Sequence, residues 1–358
     1  MNLFAESDRQ KLVASPSLFD RESLQEAHGD WGHQLLRAAI AMEMLAQITD
    51  RDLTVLLKGG TLLQHSLEWP PYRASVDLDL EVADATALKT VLRQIEDSFA
   101  DSEVHVSIQD IPLSGFTGRV RFPRSSGPDW SLRIDALEND RWPSGSSSWQ
   151  AIPAPWEDAT RPQVAPIEAR AAQKLLLSAD PPYGRDLDDH HGRQNFVKDL
   201  FDLHCLGEKH LQSHRVLEAA HDDVERKSDY LDQQFHLEDL LNEGTESLRQ
   251  LAHPPVDDNS LRGSIWRAYG RVKSGIRVSF TRASLRTSGG CAHHALEGIR
   301  RDELDWQDTW RPVTDRSPRS AWEEKPIQPV IEVEDDYGVT AGVLEAWAQF
   351  SESDRTDQ

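Results

Sequence analysis

Only two cysteines, Cys205 and Cys291, occur in the 358 residues, and they stand far apart. Such a pair supplies neither a disulfide framework nor a zinc-binding spacing, so a reducing compartment, the cytoplasm, is expected. Long apolar runs are missing too. No stretch approaches the roughly 18 apolar residues of a membrane span, and the start, MNLFAESDRQ, has no apolar core behind a basic end. Neither a membrane segment nor a signal peptide is expected. Positive charge is also scarce, with 39 Lys and Arg against 61 Asp and Glu, for a net charge of −22. A chain this acidic does not adhere nonspecifically to nucleic acid or anionic lipid, so any polyanionic ligand needs a local exception.

What is present reads first as helix. From Leu24 the apolar positions Leu24, Ala27, Trp31, Leu35, Ala38, Met42 and Leu45 step by three and four, the period of one helix face. A short buried strand is expected at 54–57, then a turn at Gly59 and Gly60 and a short helix from Thr61 to Leu67 with Thr61 as hydroxyl cap. DLDLEV alternates as a strand, and Asp84 caps a helix carrying Leu88, Val91, Leu92, Ile95 and Phe99. Strand alternation returns at Val104–Ile108, at Val120 and Phe122, and in WSLRIDALE, where Trp130, Leu132 and Ile134 face inward and Ser131, Arg133 and Asp135 outward. Residues 138–165, rich in Ser, Pro and Trp, read as a long connection. Beyond it the pattern is helical: PIEARAAQKLLLS, a helix bearing Phe196, Leu200 and Leu203, and more helix over about 211–250.

Charge is unevenly spread. No acidic residue falls between Asp258 and Glu297, where seven basic ones do, interleaved with Trp266, Tyr269 and Phe280. This stretch can grip an RNA backbone or be amphipathic surface. From Asp302 onward 15 acidic residues meet 5 basic ones, so a partly disordered acidic tail is expected. The adjacent pairs His190–His191 and His293–His294 lack the spaced partners of a metal site.

The carboxylates of DLDLEV pose the chemical question. Asp77, Asp79 and Glu81 share one strand face, and Asp135 stands on the polar face of another strand. Bulk water alone can solvate such a face. The order of elements is more specific: strand, Gly-Gly-Thr, short helix, Asp-x-Asp on the next strand, then a lone Asp on a later one. A glycine turn lets backbone N–H groups approach a phosphate, and the helix N-terminus behind it adds free donors. Paired carboxylates with a third can hold magnesium and activate an attacking hydroxyl. Glu81, one pleat further, reads as exposed and structural.

Lys58-Gly59-Gly60-Thr61 followed by Arg73-x-Ser75-x-Asp77-Leu78-Asp79 resembles the AbiEii/AbiGii-type toxin family of the nucleotidyltransferase superfamily. GDWGHQLLRAA, QKLLL and VKDLFDL extend the likeness over about residues 20–208. The resemblance implies an α+β fold, a polymerase-β-like nucleotidyltransferase core with a mixed sheet and flanking helices followed by a helical region, to which composition adds the acidic tail. The corresponding divisions are 1–150, 151–300 and 301–358. It further implies that Asp77 and Asp79 bind the metal–nucleotide complex, with Asp135 as the third carboxylate and Mg as the metal. Gly59, Gly60, Thr61, Arg73 and Ser75 form the nucleotide-binding set. Lys174 looks like the lysine that reaches the triphosphate, and Asp199 like the acidic residue of the family's KDxxDL helix. Thr61 stands where the wider superfamily commonly has serine. Two enzyme readings stay open, transfer of a nucleotidyl group from an NTP to an RNA hydroxyl such as the tRNA acceptor end, and transfer to a protein hydroxyl. A noncatalytic nucleotide-binding protein is the contrasting class. A separate antitoxin partner is implied by the family alone.

Overall fold

The computed structural model describes residues 9–14, 32–67, 75, 77–111, 115–123, 129–150, 152, 156, 158–252, 261–273, 276 and 280–314. The chain divides into two compact units, with the change at Pro166–Ile167.

The first unit is a mixed sheet with helices on its apolar face. In chain order it contains α1 (Arg9–Ala14), α2 (Gly32–Thr49), β1 (Val55–Lys58), α3 (Gly59–Leu67), β2 (Asp77–Val82), α4 (Ala85–Ser98), β3 (His105–Ile111), β4 (Gly115–Phe122), β5 (Trp130–Glu138), β6 (Ser147–Ser148) and β7 (Gln163–Val164). The strand order is β3-β4-β5-β2-β1-β7-β6. β2 lies near the middle, antiparallel to β1 and parallel to β5. Alternation decides which face is buried: Leu78, Leu80 and Val82 of β2 and Trp130, Leu132 and Ile134 of β5 join one apolar cluster with α2 and α4. On α2, residues from Leu36 to Ile48 are buried nearly all round, as a helix inside a core must be. Its one buried carboxylate, Glu43, accepts from Trp156 Nε1 at 2.9 Å and Gln47 Nε2 at 2.8 Å, which satisfies both oxygens. The part of the expected helix before Gly32 lies outside the described residues. Asp84 caps α4 as its sequence implied, accepting from the backbone N–H of Thr86 and Ala87 at 2.8 and 3.0 Å, a cap worth about 1 kcal/mol.

Two readings of this unit need correction. The connection over 138–165 is not structureless: β6 and β7 extend the sheet, and Trp149 and Trp156 enter the core. Thr61 is not a hydroxyl cap. The helix starts two residues earlier, at Gly59, and the fully buried Thr61 donates from Oγ1 to the carbonyl oxygen of Asp77 at 2.6 Å.

The second unit is helical, with α5 (Ile167–Leu176), α6 (His190–Gly207), α7 (Ser213–Leu231), α8 (Leu237–Ala252), α9 (Leu261–Lys273), α10 (Arg282–Arg300), α11 (Trp306–Thr309) and α12 (Arg311–Thr314). α6 starts at Asp189, whose carboxylate accepts from the N–H of His191 and Gly192. The start of the expected disordered tail is folded, because Asp305 caps α11 and Trp306 and Trp310 are fully buried, their rings 5.4 Å apart. Residues 315–358, the rest of that tail, lie outside the described residues. Among the described residues no helix is long and apolar enough to cross a membrane.

Candidate active site

The sheet brings the three candidate aspartates onto one face by register. β2 runs parallel to β5 with Asp77 opposite Arg133 and Asp79 opposite Asp135. On the other side β1 pairs Lys58 with Asp79. A single row across the sheet therefore reads Thr117, Asp135, Asp79, Lys58, with Asp77 one pleat away on β2. The apolar face of the same strands is buried, and that fixes the carboxylates outward, since a one-residue slip would bury them instead.

The glycine turn lies directly against this row. Gly59 has φ +68°, which glycine adopts without strain, and a Cβ placed there would fall 1.7 Å from Asp79 Oδ2. Asp79 therefore rests over the Cα of the first residue of α3, at the N-terminal end of that helix. The hydroxyl of Thr61 ties the helix to β2 through Asp77's carbonyl oxygen. Gly60 is half-buried, as is Ser75 ahead of β2, while Arg73 lies outside the described residues.

Each carboxylate has a distinct neighbourhood. Asp135 Oδ1 accepts from Arg133 Nε at 2.9 Å and Thr117 Oγ1 at 2.8 Å. Burial lowers the pKa of Arg37 on α2, and the negative charge of Asp77 opposes that shift. Glu81 departs from expectation: it is 4% exposed rather than solvated, ion-paired to Lys58 Nζ at 2.6 Å and accepting from Asn139 Nδ2 at 3.3 Å. The pair places a lysine next to Asp79, within the acidic face. The sequence signals for Lys58 and Arg37 were modest: a basic residue ending an apolar strand, and a lone cation in the apolar run of α2.

Among the described residues no three His, Cys, Asp or Glu side chains stand close enough together to hold a metal ion. Three carboxylates without a cation repel, and here Arg133 draws Asp135 to itself. In chemistry the donors fit a hard divalent cation, being carboxylate oxygens on one sheet face, two of them in direct register.

Lys174 and Asp199 belong to the second unit and come together there. Lys174 Nζ lies 2.5 Å from Asp199 Oδ1 and 2.9 Å from Asp202 Oδ2, and Arg185 Nε lies 2.7 Å from Asp199 Oδ2. Both aspartates are buried, at 3% and 1% exposure, and Lys174 is 8% exposed. Two cations face two anions, so the cluster is neutral as a whole. Burial raises the pKa of Asp199, but Arg185 and Lys174 outweigh it and bring the carboxyl down to about 2. Asp202 is a buried partner of Lys174, while Lys198 reaches Asn195 Oδ1 at 3.5 Å. The usable signal was the i, i+3 spacing of Asp199 and Asp202, which puts both on one helix face.

In the basic stretch the apolar residues turn inward, while the described cations Arg267, Arg271 and Arg282 are exposed and Lys273 and Arg286 half-buried. Tyr269 and Phe280 are buried and joined by a hydrogen bond from Tyr269 Oη to the Phe280 carbonyl at 2.6 Å. Arg282 and Arg286 lie over the Trp266 ring at 5.7 and 5.4 Å, Lys273 over Tyr269 at 6.0 Å, and Arg271 contacts His190. Amphipathic helix is thus the better description of its described part.

No curated protein matches the chain. Among solved structures, MenT4, a nucleotidyltransferase toxin from Mycobacterium tuberculosis H37Rv, is similar at 14% identity and a TM-score of 0.42, covering 76% of this chain and 95% of its own. The family described as nucleotidyl transferase AbiEii toxin, type IV toxin–antitoxin system, matches residues 42–263, more than half of the chain. The protein belongs to the AbiEii nucleotidyltransferase toxin family.

Proposed function

We propose that this chain transfers the nucleotidyl group of a nucleoside triphosphate to an RNA hydroxyl, with magnesium, and that the acceptor end of tRNA is the first RNA to test. The observation that carries this is the register of Asp79 with Asp135, with Asp77 on the same face and the Gly59 turn pressed against Asp79. Asp77 and Asp79 would hold the cation, which supplies charge compensation on phosphate oxygens and eases loss of the acceptor's proton. Backbone N–H groups of Gly60 and Thr61 at the start of α3 would receive phosphate oxygens, since the Thr61 hydroxyl is committed to Asp77.

Asp135 would take the proton as the acceptor oxygen bonds to the α-phosphorus. The bond from that phosphorus to the bridging oxygen breaks, and pyrophosphate leaves. Arg133 positions Asp135 beforehand. Contact of Lys174 with the departing phosphates is what the family resemblance implies; within its own unit Asp199 and Asp202 hold its ammonium in place. An antitoxin partner follows from membership in a type IV toxin–antitoxin family. The test is incubation of the purified chain with each of the four α-labelled triphosphates, total RNA and a cell lysate. Label is expected on RNA with release of pyrophosphate. Label on protein would overturn the RNA acceptor, and no pyrophosphate under any condition would overturn transfer itself.

A further inference from the structure

The face that carries the aspartates continues across β5, β4 and β3 as exposed surface, and its character changes from acidic to basic. In successive rows, Asp77 stands opposite Arg133 and Arg133 opposite Arg119, which pairs with Ser107; next, Ser131 stands opposite Arg121 and Arg121 opposite His105. All six of the residues on β3, β4 and β5 in these rows are exposed. Arg119 and Arg121 make no side-chain hydrogen bond or ion pair among the described residues, and Arg133 commits only its Nε, to Asp135.

Arg133 and Arg119 stand directly opposite on neighbouring strands and repel; Asp135 offsets the charge of Arg133, and Arg119 carries no such partner among the described residues. A solvated face of a chain with net charge −22 has no need of three clustered cations. Along β4, Arg119 and Arg121 are spaced by about 7 Å, two strand residues, and neighbouring strands add cations at about 5 Å. Forked guanidiniums at such intervals match successive phosphates, each able to take two N–H donors. Among its described residues the face presents no Phe, Tyr or Trp and one imidazole, His105, so it would grip backbone with little base stacking.

We propose that this arginine face of β3–β5 carries the phosphate backbone of the acceptor RNA and leads its end to Asp77, Asp79 and Asp135. The inference rests on RNA being the acceptor. It displaces the basic stretch of 262–286 from that role, because the cations described there stack on Trp266 and Tyr269 or meet His190.

The experiment measures binding without turnover, by fluorescence anisotropy of end-labelled total tRNA on the full chain over a series of salt concentrations. Arg119→Gln/Arg121→Gln is expected to weaken binding about tenfold at 0.1 M salt and to reduce the slope of log K against log salt by about 2, one for each phosphate no longer neutralised. Arg267→Gln/Arg271→Gln on α9 is the comparison, expected to leave both quantities as in the wild type. Unfolding midpoints of both variants show whether each still folds. Unchanged affinity and slope in Arg119→Gln/Arg121→Gln, or an equal loss in the α9 variant, would overturn the surface while leaving RNA as acceptor. A wild-type chain that binds no RNA overturns the surface together with the RNA acceptor, and binding by an acidic protein alone would do the same.

Discussion

Replacing Gly59 by alanine perturbs the site at one atom. The new Cβ would lie 1.7 Å from Asp79 Oδ2 and 2.6 Å from its Cγ, so the carboxylate oxygen must retreat by about 1.7 Å to reach the ordinary contact distance of 3.4 Å. The residue also sits at φ +68°, where a side chain costs about 1–2 kcal/mol. The two effects fall on different measurements. Backbone strain reduces stability. Displacement of Asp79 reduces transfer, and misplacement of a reacting group by about 1 Å is enough to lose about 100-fold. Gly145 supplies the control, since it has φ +78° and its Cβ would meet only Pro166 Cγ, at 3.2 Å. Gly59→Ala and Gly145→Ala are therefore expected to lose similar stability in urea unfolding, about 1–2 kcal/mol. Only Gly59→Ala should lose nucleotidyl transfer, by about 100-fold or more in pyrophosphate release. Transfer within threefold of wild type in a folded Gly59→Ala chain would refute the idea that Asp79 must occupy that position.

Two further predictions concern the helical unit. Lys174→Met leaves Asp199 and Asp202 buried without their shared cation and should cost about 3–5 kcal/mol in urea unfolding, part of it restored by adding Asp202→Asn; a loss below about 1 kcal/mol would contradict the buried cluster. Burial lowers the pKa of His204, which meets Ser288 Oγ at 2.9 Å, to about 4. The fold holds this imidazole neutral, so its contribution is present above the unfolded value of about 6.5 and is lost as pH falls through 4, worth about 3 kcal/mol in all. His204→Gln should flatten stability between those pH values, and an unchanged profile would show that another group governs it.

The elements that frame the site were legible because each has a simple period. β2 and β5 alternate strictly, and the Asp84 cap precedes a regular apolar stripe. What the sequence concealed has physical reasons. β6 and β7 are two residues each, too short to display a period, and their flanks hold the Pro and Ser that usually mark loops. Thr61 has the chemistry of a cap, yet the positive φ of Gly59 lets the helix begin earlier. Glu81 looked solvated because burial of a charge is costly unless a partner stands opposite, and its partner, Lys58, comes from another element, β1; the burial of Lys174 likewise depends on two aspartates of α6. Register between β2 and β5, which aligns Asp79 with Asp135, is set by tertiary packing and by no local motif.

The most direct measurement compares Asp79→Asn and Asp135→Asn with the wild type for pyrophosphate release and transfer of α-labelled nucleotide, at matched folded fraction. Each amide keeps the shape and removes the charge, so each variant should lose transfer by about a thousandfold while unfolding at nearly the wild-type midpoint. If either folded variant kept more than about a tenth of wild-type transfer, the chemistry would not depend on the aspartates that the sheet aligns.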